Sequence, residues 1–233
     1  MKRKYVYSYE MKMIPMNIGA ILLLLGIYIP VEILFNIDIV NVDWSNGFFI
    51  ILAFLLWFVF HELLHGIGFH LSKGIDHKKI VYGISLEKGI LYCMCKNKIT
   101  KKDIIRSLLF PLVLIGIVTL ILGISIENKL LILLSIMNIS GAIGDILMTF
   151  MALQMPKDMI YFDTDNATSF HIITEEKLEN KKFFGFKLKS HSIYSEDDQT
   201  LIAHDFQKIK ISKISKIILI SICILYFITL IIK

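Results

Sequence analysis

The sequence predicts an all-α polytopic membrane protein with about five transmembrane helices, a short cytoplasmic β-hairpin after the second helix and a small polar cytoplasmic segment before the last. Of the 233 residues, 55% are hydrophobic and only 19% are charged, whereas about a quarter of the residues of a soluble domain are charged. Several apolar runs reach the roughly 20 residues that a helix needs to cross a bilayer. The net charge of +5 comes from lysine-rich connections, which indicates membrane topology and not a nucleic-acid partner.

Five apolar runs are expected to cross the bilayer, and the first follows the basic residues 1–4. This start resembles the n-region of a signal peptide, but no small-residue cleavage site follows it, so we expect an uncleaved first span. The predicted spans are Ile14–Leu34, Phe48–His70, Ile105–Ile126, Leu130–Leu153 and Ile214–Ile232. They divide the chain into a membrane core over residues 1–155, a polar segment over 156–213 and a C-terminal helix over 214–233.

The polar connections contain four short runs with strand-like composition. Two of them flank a Glu-Lys-Gly turn and predict a hairpin at about residues 79–98. The four runs are Ile80–Ser85, Gly89–Cys95, Met159–Phe162 and Ser169–Ile173. The mixed-charge stretch Lys177–Gln207 is expected to be loosely structured. Cys93 and Cys95 have no second cysteine pair nearby, which favours reduced cytoplasmic thiols over a metal site or a disulfide.

The distribution of positive charge predicts the topology. The basic N-terminus, the lysine-rich connection over residues 72–106 and the segment over 156–213 are assigned to the cytoplasm. The acidic loop over residues 36–46 and the short turn over 127–129 are assigned to the other side. Five spans satisfy this alternation, so we expect a cytoplasmic N-terminus and an external Lys233.

The second predicted span contains the sequence His61-Glu62-Leu63-Leu64-His65-Gly66, which matches the HExxH pattern of zinc hydrolases. Because residues four apart lie on one helix face, both imidazoles can reach one Zn²⁺ at about 2.0–2.1 Å. Glu62 lies beside them, where it can accept a proton from a water at the metal. Such a set costs several kcal/mol of desolvation inside a bilayer unless a partner compensates it, which favours a metal site over a chance match.

A catalytic zinc ion usually takes three protein ligands, and Asp145 is the predicted third. It is the one other ionisable residue that lies away from the ends of the predicted spans. Spans two and four run in the same direction under the predicted topology. His61 lies 13 residues after Phe48 and Asp145 lies 15 residues after Leu130, about 20 and 22 Å along a helix. The two depths agree to about one helical turn, so we expect the side chains to meet.

Other residues near the predicted site have alternative interpretations. Asn138, Gly141 and Asp145 share one helix face, where Asn138 could bind a substrate backbone or orient a ligand, and the glycine could simply allow close helix packing. Glu87 and Glu127 are alternative third ligands, but one lies in the predicted hairpin and the other on the opposite side of the membrane. The remaining histidines are expected to be solvated: His70, His77, His171, His191 and His204.

These motifs together resemble the site-2 protease class of intramembrane metalloproteases and, more closely, the bacterial membrane family of putative zincin peptidases. The similarity covers about residues 47–175. It rests on HELLHG, on Tyr92–Cys95 before Lys101-Lys102, on the NISGAIGD run that ends at Asp145, and on the stretch from Pro156 to Asp163. It implies a bacterial cell-membrane protein with a zinc site formed by His61, His65 and Asp145 and with Glu62 as the base. The chain departs from the site-2 pattern at Ile146, where that class has glycine.

Three functional hypotheses follow from the sequence. The first is a zinc-dependent membrane-embedded peptidase that hydrolyses a membrane-protein or peptide substrate in or near the bilayer, with its active site toward the cytoplasm. The second is a non-catalytic metal-binding membrane protein, such as a sensor, an immunity factor or a scaffold. A transporter with a midplane ion site is less favoured, because the sequence lacks the internal repeat and the interrupted spans of many transporters.

Overall fold

The computed structural model describes residues 4–85, 90–164, 168–178 and 182–194. Within these ranges the protein is mixed α/β, so the prediction of an all-α protein is wrong. A five-stranded antiparallel sheet and a separate two-stranded sheet accompany the helices. Three helices of the described ranges are long and apolar enough to cross a bilayer, or four spans result if the bent pair at residues 129–153 counts as one. These helices are compatible with the predicted membrane protein.

Within the described ranges, six α-helices and one π-helical turn form the apolar part of the protein. The α-helices are α1 (Met13–Phe35), α2 (Gly47–His70), α3 (Lys101–Pro111), α4 (Thr119–Ser125), α5 (Lys129–Gly141) and α6 (Ile143–Leu153). The π-helical turn Leu112–Val118 joins α3 and α4 into one span. The bounds of the first two predicted spans are confirmed to within one residue at each end. The predicted C-terminal span, the Glu-Lys-Gly turn and His204 lie outside the described residues.

The predicted fourth span is bent. Helices α5 and α6 meet at an angle of 45° around Ala142, whereas the depth estimate for Asp145 assumed one straight helix. Because α6 begins at Ile143, Asp145 lies in its first turn. A carboxylate is stabilised there by the unpaired N–H groups and the dipole of the helix.

In the part of the chain that the structure describes, seven strands form the two sheets. They are β1 (Lys4–Met11), β2 (Ile80–Ser85), β3 (Ile90–Cys95), β4 (Ile99–Thr100), β5 (Ile160–Asp163), β6 (Ser169–Thr174) and β7 (Phe186–Tyr194). Strands β2 and β3 pair antiparallel, with Tyr82 opposite Cys93, which confirms the predicted hairpin. The larger sheet has the order β4-β5-β6-β1-β7 and is antiparallel throughout.

The five-stranded sheet was not predicted, because the interior strand β1 and the edge strand β7 were not recognised as strands. Residues 1–4 were interpreted as the basic start of the first span and residues 5–11 were given no structure, yet Lys4–Met11 form β1 between β6 and β7. Residues 186–194 were expected to be loosely structured, yet they form β7. The other strand-like runs are confirmed as β5 and β6. Since the residues of β1 pair with partners at least 159 positions away, as in Glu10 opposite Ser169, no local periodicity reveals the sheet.

The larger sheet packs against one end of the helices. Its core side chains, including Tyr9, Phe170 and Phe186, form one cluster with Phe69 of α2 and Met148 of α6. The Lys101 side chain donates to the carbonyl oxygens of Leu153 and Met155, at 3.0 and 2.6 Å, and so satisfies the C-terminal end of α6. The pairing of β1, β4 and β5–β7 places Lys4–Met11, the end of the lysine-rich connection and the described part of the polar segment in one sheet at one end of the helices. The predicted charge topology requires the same arrangement.

Candidate metal centre

The HELLH sequence lies in the C-terminal half of α2, an apolar helix without proline. The spacing of four residues turns His61 and His65 to the same face, and their Nε2 atoms are 3.1 Å apart. The side chains of His61 and His65 are 12% and 8% exposed. Two imidazoles are therefore held close together in a region that is nearly closed to solvent.

The bend between α5 and α6 brings Asp145 to these histidines. Its Oδ2 atom lies 3.2 Å from Nε2 of His61 and 3.4 Å from Nε2 of His65. Among the residues that the structure describes, His61, His65 and Asp145 form the one group of three whose ligand atoms could hold a metal ion. The structure thus brings together the three residues that the sequence selected.

The outer nitrogen of each histidine has a partner that fixes the tautomer. Nδ1 of His65 lies 2.9 Å from the carbonyl oxygen of Ser107 on α3, which can only accept a hydrogen bond. Nδ1 of His61 lies 2.8 Å from Oδ1 of Asn138, whose amide nitrogen donates to the carbonyl oxygen of Pro111 at 3.5 Å. Both Nδ1 atoms are therefore donors, and both neutral rings present the lone pair of Nε2 to the centre.

The chemistry of the donor set fits a metal ion. Two Nε2 lone pairs and a carboxylate oxygen face one another, and three acceptors at such distances repel unless a cation lies between them. Ligand atoms of a tetrahedral zinc ion with bonds of about 2.0–2.1 Å are separated by about 3.3–3.4 Å. The three observed separations of 3.1, 3.2 and 3.4 Å are close to this value. Two imidazoles and one carboxylate are also a known ligand set of catalytic zinc.

The chain was compared with protein families, with curated proteins and with solved structures. Residues 54–160 match the family described as putative zincin peptidase. The matched segment contains the HELLH helix, the hairpin and both helices that carry Asn138 and Asp145. No curated protein and no solved structure matched. The match supports the zincin family, and zinc as its metal, whereas the relationship to the site-2 class stays a prediction.

Glu62 faces the same cavity as the three candidate ligands but is not one of them. Its carboxylate accepts a hydrogen bond from the backbone N–H of Cys93 on β3. In the register of the hairpin, Cys93 lies opposite Tyr82, and it lines the same cavity as Glu62. The hairpin therefore positions the carboxylate of Glu62 through a backbone group that no side-chain motif reveals.

Two glycines of α2 permit this assembly. A Cβ atom at Gly66 would lie 1.6 Å from the hydroxyl oxygen of Tyr82, so only glycine lets the hairpin approach the end of the HELLHG sequence. A Cβ atom at Gly68 would lie 2.7 Å from Cα of Ser107. The close contact between α2 and α3 at Gly68 is what brings the carbonyl oxygen of Ser107 within reach of His65.

The centre opens into a cavity of about 350 Å³. Apolar side chains from β1, α1, α3, β3 and α6 form most of its wall, together with Tyr161 and Asp163 of β5. Burial raises the pKa of the Cys93 thiol well above its usual range, so this thiol stays protonated and unreactive. Cys93 and Cys95 are both free, and their reduced state in the cell stays a prediction.

The other candidates from the sequence lie elsewhere. His70 bonds to the carbonyl oxygen of Gly66 and stacks on His77, with ring centroids 4.2 Å apart. Glu127 lies in the turn after α4, and Glu87 lies outside the described residues. Sequence analysis missed Ser107 and the N–H of Cys93, because both act on the centre through the backbone.

We expect Asn138→Leu to weaken metal binding by about 10–100-fold, which is the usual effect of removing an outer partner of a metal-bound histidine. Asn138 is 2% exposed, and leucine has a similar volume but cannot accept the hydrogen bond of His61. Competition with a chromophoric chelator would measure the dissociation constant. Asn138→Asp keeps an acceptor and should bind metal nearly as well as the wild type. An unchanged constant in Asn138→Leu would show that Asn138 does not orient His61.

Proposed function

We propose that the protein is a zinc-dependent, membrane-embedded peptidase that hydrolyses a peptide bond in or near the bilayer. The observation that carries the proposal is the convergence of three acceptor atoms from His61, His65 and Asp145, with the outer nitrogen of each histidine already bonded elsewhere. The carboxylate of Glu62 lines the same cavity. We also propose that the protein is an integral membrane protein and that its metal centre lies toward the cytoplasmic side.

His61, His65 and Asp145 would hold the zinc ion. When bound, Zn²⁺ acts as a Lewis acid that polarises a carbonyl group and lowers the pKa of water at the site to about 7. Glu62 accepts the proton of the attacking water and then passes it to the leaving amine as a general acid. The N–H of Cys93 holds the Glu62 carboxylate in place for both transfers. Asn138 and the carbonyl oxygen of Ser107 keep the two imidazoles in the tautomer that exposes Nε2.

The cavity and the hairpin suggest how a substrate is bound. A helix must unwind before its peptide bonds can be hydrolysed, and an extended segment can add to the free edge of a strand. Strand β3 pairs with β2 on one edge. On its other edge the N–H groups of Cys93 and Cys95 bond to Glu62 and Asp163. A substrate strand would therefore pair with the outer part of this edge, at Ile90 and Leu91, which line the cavity. We therefore assign the docking of an extended membrane-protein or peptide segment to this edge of β3.

Metal dependence tests this function directly. The wild-type protein, purified in detergent, is expected to contain about one zinc ion per chain and to cleave members of a peptide library. His65→Ala and Asp145→Ala should remove both the metal and the cleavage. A chelator should abolish cleavage by the wild type, and one equivalent of zinc should restore it. Wild-type protein that contains no metal and binds none would disprove the centre and the enzyme together.

A non-catalytic metal-binding protein is the second candidate, and one contact favours it. Glu62, the carboxylate within HELLH, accepts a hydrogen bond from the N–H of Cys93. This bond could serve only to attach the hairpin to α2, which is a structural role. The two candidates differ in what Glu62 does, since a structural centre does not require a base.

A further inference from the structure

The cavity contains a carboxylate that the proposed mechanism does not use. Asp163, the last residue of β5, lines the same cavity as the metal centre and lies close enough to His65 for electrostatic interaction. Its Oδ2 atom accepts the N–H of Cys95 at 2.8 Å, and its Oδ1 atom accepts the hydroxyl of Tyr161. A carboxylate offers about four acceptor positions, so these two bonds leave capacity for another donor.

The described wall of the cavity carries more negatively charged than positively charged side chains. Glu62, Asp145 and Asp163 are carboxylates, and none of the described lining residues is a lysine or an arginine. A bound dication would offset two of the three negative charges and leave one. Burial raises the pKa of Asp163 to about 6. At neutral pH the group is therefore ionised, although its surroundings compensate the charge poorly.

The remaining wall of the cavity is suited to an aliphatic chain. Met11 of β1, Met16 of α1, Leu108 of α3 and Met148 of α6 contribute apolar surface. Methionine side chains adapt to the shape of a bound group, and the stems of lysine and arginine favour apolar surroundings when their charged ends reach a partner. An apolar channel with one uncompensated carboxylate is thus complementary to a cationic group on a flexible chain.

We propose that Asp163 forms a specificity subsite for a cationic nitrogen of the substrate, supplied either by a Lys or Arg side chain or by a free α-amino group. This inference rests on the proposed peptidase function and adds its substrate class, a peptide with a positive charge close to the scissile bond. Asp163 binds this charge through a charge-assisted hydrogen bond and takes no part in the proton transfers of Glu62.

The test compares three series of otherwise identical peptides. One has an acetylated N-terminus and an internal lysine, the second replaces this lysine with norleucine, and the third has norleucine and a free N-terminus. We expect wild-type kcat/KM to be at least about tenfold higher for the lysine or the free-amine series than for the acetylated norleucine series. The series that is preferred identifies the source of the cation.

Asp163→Asn is expected to bring that ratio close to one, because asparagine keeps the shape and an acceptor for Cys95 but carries no charge. Asp158→Asn is the matched control. Asp158 bonds to Thr174 and to the N–H of Glu175 and does not line the cavity, so its ratio should equal that of the wild type. Equal cleavage of all three series by the wild type would overturn the subsite even if Asp163→Asn failed to fold. A ratio that Asp163→Asn leaves unchanged would overturn it as well.

Binding separates this inference from the proposed function. In the Glu62→Gln background, fluorescence anisotropy of the same peptides measures the preference without hydrolysis. A binding preference that disappears in Asp163→Asn supports the subsite even if the wild type hydrolyses no peptide, a result that would refute the peptidase alone. If all three peptide series are hydrolysed and bind with equal affinity, the peptidase function stands and the subsite is overturned.

Discussion

Glu62→Gln is expected to lower the rate of peptide hydrolysis by about 10²–10⁴-fold, the usual contribution of a general base. Glutamine has the shape of glutamate, and its Oε1 atom can still accept the N–H of Cys93 that holds the native carboxylate. It cannot take up a proton from water, however. Because His61, His65 and Asp145 are unchanged, the variant should still bind about one metal ion per chain.

The experiment measures kcat and metal content on the same preparation. Glu127→Gln is the matched control, since this exposed residue lies in the turn after α4 and should affect neither quantity. If Glu62→Gln retains both metal and full turnover, the base is another group and HELLH serves to bind metal only. If the wild type binds metal but hydrolyses nothing, the non-catalytic candidate is favoured.

Gly66→Ala is expected to displace the hairpin from the metal centre. The added Cβ atom would lie 1.6 Å from the hydroxyl oxygen and 2.6 Å from Cζ of Tyr82, so the whole ring must move. Overpacking of this kind typically costs about 1–3 kcal/mol. Here the strand that moves also supplies the N–H of Cys93 to Glu62, so we expect turnover to fall together with thermal stability.

Alkylation of Cys93 and Cys95, followed by mass spectrometry, reports on the position of the hairpin. Labelling should increase in Gly66→Ala, because Cys95 is fully buried in the native protein. Removal of the ring in the double variant Gly66→Ala, Tyr82→Ala should relieve the clash and reduce labelling relative to Gly66→Ala. Gly26→Ala is the control, since a Cβ atom at Gly26 has no neighbour within 4 Å. Unchanged labelling in Gly66→Ala would mean that the hairpin does not depend on this glycine.

Much of the centre could be predicted from the sequence, because its signals are local or rare. The HExxH spacing is a property of one helix turn, and Asp145 was selected because ionisable residues within apolar spans are scarce. The depth argument assumed a straight span, yet Asp145 still reaches the histidines from the first turn of α6. Ser107 and Cys93 could not be found in this way, since neither acts on the centre through its side chain.

The sheet was harder to predict from the sequence than the helices. An apolar run of 20 residues is enough to predict a helix, whereas a strand of eight residues can be predicted with certainty only when the strands that pair with it are known. The composition of β1, with three tyrosines and a valine in residues 4–11, does favour a strand. The basic residues at its start, however, also fit the flank of a membrane span, and this interpretation was preferred. The hairpin was predicted because both of its strands lie within 16 residues of one another.

The position of β1 between β6 and β7 has a consequence for biogenesis. The ribosome makes β1 before all the described helices, but β6 and β7 come from the far end of the described chain. The hydroxyl of Tyr7 accepts a hydrogen bond from Leu178 across 171 residues. At about 5–20 residues per second, β1 waits roughly 10–40 s with both edges unpaired. Such a strand is open to pairing with other chains during this time. All six described helices are therefore made before the sheet can close. A truncation that removes β1 should reduce the yield of folded protein more than the distance of β1 from the metal centre suggests.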